Sequence, residues 1–152
     1  MNIEQAIRDY LPDILHLSLA ASKDNRPWVC EVHFAYDENL NFYFRSLPTC
    51  RHCQEIATNP YVAGSIVRQH SLTDAPVGIY FEGKARMLPA GKEQQEAYEC
   101  IKERLRPPAD IMKQAQDPSG CQFYKITVDT FYIFGKFGDA PTQKYTLPWG
   151  RR

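Results

Sequence analysis

The chain has no apolar run approaching the roughly 18 residues that a membrane-crossing helix requires, which excludes a helical membrane span. It also has no surplus charge, because Lys plus Arg and Asp plus Glu number 18 each. Without a basic stripe, nucleic acid is excluded as the main partner, and only a local basic pocket remains open. Gly-x-Ser-x-Gly, Walker A, the Rossmann glycine fingerprint and His-Glu-x-x-His are all missing. The commonest signatures of hydrolases, phosphate loops, dinucleotide folds and zinc proteases are therefore excluded. There is no internal repeat, no low-complexity segment and no second regime of composition. The cysteines are odd in number, five, at 30, 50, 53, 100 and 121. The opening "MNIEQAIRDYLPD" carries acidic residues and no apolar h-region. Both features predict reduced thiols in a cytoplasmic protein without a secretory leader.

What is present suffices for one core. The 152 residues are 43% hydrophobic and 12% aromatic, enough for a single domain and short for two. Ile3, Ile7 and Leu11 recur four apart, which predicts a short helix stopped near Pro12. "ILHLSLAAS" (14–22), "WVCEVHFAY" (28–36) and "LNFYFRS" (40–46) alternate as strands, joined by "KDNRP" and "DENLN" turns. "CRHCQEIATNP" changes period and predicts a helix from about 50 to 58, ended by Asn59-Pro60. "YVAGSIVRQ" (61–69) and "GIYFEGKARML" (78–88) return to strand, and Gly83 within the latter predicts a bulge or a close backbone approach. "GKEQQEAYECIKERL" (91–105) is the strongest helix. "RPPADIMKQAQDPSG" predicts a broken connection with one or two helical turns. "CQFYKITVD" and "TFYIFGKFG" predict a closing pair of strands around Asp129-Thr130. Residues 1–138 thus form one domain, and 139–152 an irregular C-terminal tail. Sequential strands on short turns pair antiparallel. Six or seven of them burying one face predict a mainly β (α+β) fold, an antiparallel barrel with flanking helices.

The Cys-x-x-Cys of Cys50 and Cys53 invites three readings. A structural zinc site wants four ligands, usually from two such pairs, and this chain has one pair. A thioredoxin-like dithiol needs a βαβ setting, whereas these flanking strands form a meander. Helix-face packing suits the residues better: positions 50, 53, 56 and 57 share one side and are small or apolar, and free cysteine packs as a small hydrophobe. The intervening pair matters more. With Thr49 as N-cap, Arg51 and His52 lie in the first turn, against the positive end of the helix dipole. Either both side chains point into water, or an anion sits there in a cradle of Ser46, Thr49, backbone N–H groups, Arg51 and His52.

Elsewhere, His33 and Glu31 share a strand face but have no third ligand, so a polar outer face is preferred to a metal site or a general base. Ser46 and Ser65 have no evident base partner in the sequence. No catalytic residue is identified.

"FYFRS", then "TCRHCQEIATNPYVAGSIV", then "GIYFEGKARML" with Glu82-Gly83, resembles the pyridoxamine 5′-phosphate oxidase-like, FMN-binding split-barrel superfamily. The Arg-His version with "FGK" (134–136) resembles its small bacterial members. The resemblance implies a split β-barrel with Greek-key character, FMN as cofactor, and a homodimer with flavin at the subunit interface. It implies that Arg51 and His52 hold the FMN phosphate with Thr49 and Ser46 as hydroxyl partners. Phe44, Arg45 and Ser46 would run along the isoalloxazine, and Ser65, Ile66, Val67 and Gln69 would line the pocket. Tyr145 and Trp149 would reach a partner's pocket or anchor the tail. The substrate-phosphate segment and the C-terminal Arg-x-His of true pyridoxamine phosphate oxidases are missing, so vitamin B6 oxidation is not expected. His52 in place of the usual Lys weakens the phosphate grip near neutral pH. The implied function is flavin-dependent redox chemistry on an unknown small substrate. The alternative is a non-catalytic barrel that holds haem, a deazaflavin or another ligand.

Overall fold

A computed structural model describes residues 2–135 and 142–148. Helix α1 (Ile3–Tyr10) precedes β1 (His16–Lys23), β2 (Arg26–His33), the short β3 (Ala35–Tyr36) and β4 (Phe42–Ser46). Then come α2 (Arg51–Thr58), β5 (Tyr61–Val67), β6 (Gly78–Met87), α3 (Lys92–Leu105), α4 (Ile111–Gln116), β7 (Gln122–Phe134) and β8 (Gln143–Thr146). All pairings are antiparallel, in the order β2-β1-β5-β6-β7-β4-β3 with β8 against β7. This is the expected split barrel, with β4 returning to pair β7 in Greek-key fashion.

Turn chemistry sets the first hairpin. Lys23 pairs with Arg26, and the two residues between them, Asp24 and Asn25, have φ of 52° and 60°, the left-handed values that a two-residue hairpin turn requires. β1 buries Leu17, Leu19 and Ala21 and turns Ser18 and Ala20 outward. β4 buries three residues in succession because both its faces are covered. Phe42 meets Phe34, Phe81 and Phe131 edge-on at centroid distances of 5.2, 5.2 and 5.8 Å. Tyr43, on the other face, joins a smaller cluster with Ala97, Ile101, Ile111 and Phe123 under α3 and α4.

The C-terminal half departs from expectation. Asp129-Thr130 is no turn: β7 runs unbroken for 13 residues. Its register against β6 slips at Glu82/Gly83, so that Glu82 faces Thr130 and Gly83 faces Val128, leaving Asp129 as the bulged residue. Gly83 is both bulge partner and close approach, as its position predicts, since a Cβ there would stand 2.2 Å from the Thr127 carbonyl oxygen. Within the stretch taken as irregular tail, Gln143–Thr146 forms β8. Leu147 N donates to the carbonyl of bulged Asp129 at 3.0 Å, and its side chain is buried. Tyr145 faces Phe131, and its hydroxyl donates to Glu4 of the same chain, so it anchors the tail. Lys136 and Trp149 lie outside the described residues. Among the described residues, no helix is long and apolar enough to cross a membrane.

Candidate functional site

The loop from β4 to α2 closes through a turn in which Cys50 N donates to Leu47 O at 2.9 Å. This turn delays the helix by one residue. Cys50, not Thr49, is the N-cap; it is extended and makes no side-chain cap bond, and Thr49 is exposed. Among the described residues, the first N–H groups of α2 therefore receive no cap from the N-cap side chain, and no acidic residue lies in the first turn.

Arg51 and His52 remain in that first turn, but they diverge. Arg51 Nε donates to Glu55 Oε1 at 2.9 Å, and its guanidinium lies 4.3 Å from the centroid of the Trp28 ring on β2. Its two Nη groups have no hydrogen-bond partner among the described residues. Glu55 is 5% exposed, and its Oε2 is buried without a hydrogen-bond partner among the described residues. His52 turns inward instead: it is 7% exposed, packs near Phe44, and shares a 2.7 Å hydrogen bond between Nε2 and Ser46 Oγ. Burial holds its pKa below the usual histidine value, with Glu55 opposing weakly, so the ring is neutral at pH 7. Ser46 thus does have a base partner, which the sequence left invisible because the contact spans a loop.

The cysteines occupy the same corner. Cys53 is buried, and burial raises its pKa while the neighbouring Tyr124 and Ser46 hydroxyls pull it the other way. Burial pushes Cys30 up to about 11, helped by neighbouring Cys53 and Glu31. Cys50 is half-buried against the core. Cys53 and Ile56 pack as expected, whereas Ala57 is exposed. Among the described residues, no three His, Cys, Asp or Glu side chains are grouped to hold a metal. α2 also lines a cleft of about 540 Å³ with Cys53, Ile56, Ala85, Met87 and Tyr124, large enough for a cofactor ring.

The other candidates separate. Phe44 is fully buried and stacks on Tyr124 at 5.0 Å. Arg45 points the other way: its guanidinium donates to Gln114 Oε1, and its Nε is buried without a partner among the described residues. Ser65 lies in an outer-face cleft with Ser18, Ala20, Val29, Tyr80 and Tyr132. Ile66 is core, whereas Val67 and Gln69 are exposed. Within one chain, then, Phe44, Ser46 and His52 come together, Arg51 turns away from them to Trp28 and Glu55, and the β5 set stands apart. The sequence misses Trp28, Glu55 and Tyr124. The i,i+4 spacing of Arg51 and Glu55 was the available signal for one of them.

A family model described as pyridoxamine 5′-phosphate oxidase matches residues 3–135. The chain belongs to that family. No curated protein matches it, but solved structures do. A heme binding protein from Mycobacterium smegmatis superposes with a TM-score of 0.70 at 18% identity, over 88% of this chain and 53% of that one. This chain therefore spans about half of that protein. General Stress Protein 26 from Bacillus anthracis gives 0.67 at 18% identity, over 97% of this chain and 100% of that one. HutZ, a heme storage protein from Vibrio cholerae, gives 0.65 at 17% identity, over 84% and 91%. At such identities the likeness is one of fold.

FMN is the cofactor that the fold family implies, and the corner fits it in part. Arg51, pinned on Trp28 with both Nη groups available beside uncapped helix N–H groups, suits a phosphate. His52 does not: it is neutral, inward and committed to Ser46. Glu55 further offsets the Arg51 charge.

Proposed function

We propose that the chain is an FMN-binding split barrel in which Arg51 and the first turn of α2 grip the phosphate, and His52 serves as an internal brace. The observation that carries this reading is the Arg51 guanidinium held by Trp28 and Glu55 where an anion relieves the helix dipole. A bound flavin would supply hydride or electron transfer to a small substrate. The chain's own residues would position it, and the neutral Ser46–His52 pair would hold the β4 end against α2.

A homodimer is part of the proposal. Val29, Tyr61, Val67 and Tyr80 are exposed on one sheet face, an apolar surface suited to a second copy. In such a dimer, Ser65 and Gln69 of one chain would meet the Arg51 corner of the other. Sedimentation at micromolar concentration checks this; a stable monomer removes the shared-site arrangement.

The visible spectrum of the purified protein and an FMN titration test the cofactor. Saturable binding that weakens in Arg51→Ala and survives in His52→Gln is expected. A colourless protein with no thermal shift in excess FMN refutes the reading. A second reading has support in two facts: the phosphate site carries one cation rather than two, and two of the structural neighbours are described as heme proteins. A barrel of this family that holds haem without catalysis would show a Soret band on hemin titration and no response to FMN.

A further inference from the structure

The His16–His33 end of the β1–β2 hairpin carries a feature that the cofactor reading does not use. His16 on β1 and His33 on β2 are direct partners in the antiparallel register, both exposed, with ring centroids 5.5 Å apart in an edge arrangement. From the sequence, His33 had only Glu31 beside it, and His16 lies 17 positions away; the hairpin brings the two imidazoles together. We propose that His16 and His33 form a two-histidine chelate for a divalent first-row metal ion such as Ni(II), Zn(II) or Cu(II).

The geometry supports a shared metal. Two metal–imidazole bonds of about 2.0–2.1 Å at a tetrahedral or square angle set the ring centroids of a histidine pair about 5 Å apart. The observed 5.5 Å is within about 0.5 Å of that spacing, a difference that rotation of two exposed side chains can take up. Neither ring nitrogen pair is spent on an intramolecular hydrogen bond among the described residues. Neutral imidazole is the ligand type that these ions prefer, and affinity rises from Ni(II) to Cu(II).

No third His, Cys, Asp or Glu is grouped with them among the described residues, so the remaining positions belong to water or to an added ligand. Glu31 is held by Ser18 two register steps away. His33 also lines a cleft of about 340 Å³ with Arg45, Ile101 and Pro107, which gives an anionic co-ligand room and a cation to meet. Because β2 is the sheet edge, the bound ion would clip that edge strand to β1.

The test is titration of untagged full-length protein with Ni(II) alone, followed by calorimetry. One saturable site is expected, lost in His16→Asn and in His33→Asn and retained in His70→Asn, the remaining exposed histidine. Ni(II) should also raise the Tm of the wild type and of His70→Asn but not of the two hairpin variants, because only a ligand that binds the folded state shifts it. Substoichiometric Ni(II) should broaden the His16 and His33 ring signals in NMR, a readout that needs no variant to fold. Non-saturable binding by the wild type, equal affinity in either hairpin variant, or broadening elsewhere overturns the proposal. Loss of FMN binding would leave these outcomes untouched, so the two readings fail separately.

Discussion

Removing one partner of the Arg51–Glu55 pair should cost far more than removing the other. Glu55 sits inside, with its side chain 7% exposed, while Arg51 is 49% exposed. Charges about 4 Å apart near a protein surface attract by about 4 kcal/mol before any costs. Desolvating the carboxylate, with one oxygen left unpaired, returns about 1–3 kcal/mol of that. The net contribution is therefore of order 1 kcal/mol, between an exposed pair and a buried one. Glu55→Gln keeps an acceptor for Arg51 Nε and removes the buried charge, so stability should change by less than about 1 kcal/mol. Arg51→Met leaves the carboxylate buried and alone, and should cost about 3 kcal/mol. The double variant should recover most of that loss, giving a coupling of about 2 kcal/mol in a double-mutant cycle. Urea unfolding followed by tryptophan fluorescence measures all four proteins. Equal losses in the two single variants, or no recovery in the double, would refute the claim that the buried carboxylate is what Arg51 stabilises.

The His52 imidazole has a folded pKa below its unfolded value. The unfolded chain thus binds more protons as pH drops below about 6.5, and stability falls with it until the folded pKa is reached; His52→Gln should flatten this part of the stability–pH curve. Gly83→Ala should cost about 3 kcal/mol, the upper end of overpacking, because the new Cβ meets backbone and not a movable side chain; thermal unfolding checks it. Arg104 donates to the carbonyls of Leu11 and Phe34 at 3.1 Å each and to that of Ile14. Arg104→Ala should cost about 3 kcal/mol and lower Tm by about 10 °C. Native protein at pH 7.5 should protect Cys30, Cys53 and Cys100 from iodoacetamide, since burial holds all three thiols protonated; mass spectrometry should find all five cysteines labelled only after denaturation.

The strands of the first half were legible because their information is local: alternation, a two-residue turn and an Asn-Pro stop each act within a few residues. Apart from the N-cap, which a local turn moves from Thr49 to Cys50, the errors fall where a distant residue decides. Asp129-Thr130 carries turn chemistry, yet Gly83 across the sheet lets β7 continue as a bulge, and Leu147 from the tail takes up the freed carbonyl. The tail has no periodicity of its own because β8 is four residues long and borrows its register from β7. The same holds at the site. Helix spacing placed Arg51 and His52 correctly in a first turn, but their directions were set by Trp28 on one side and Ser46 on the other, from separate strands. An imidazole next to a guanidinium in the sequence suggests two cations for one phosphate. Burial makes one of them a neutral brace, and the Glu55 carboxylate turns the other into a restrained donor. An anion bound there would have to compete with Glu55 for Arg51. The proposed phosphate affinity should therefore depend as much on a carboxylate four residues along the helix as on the basic pair itself.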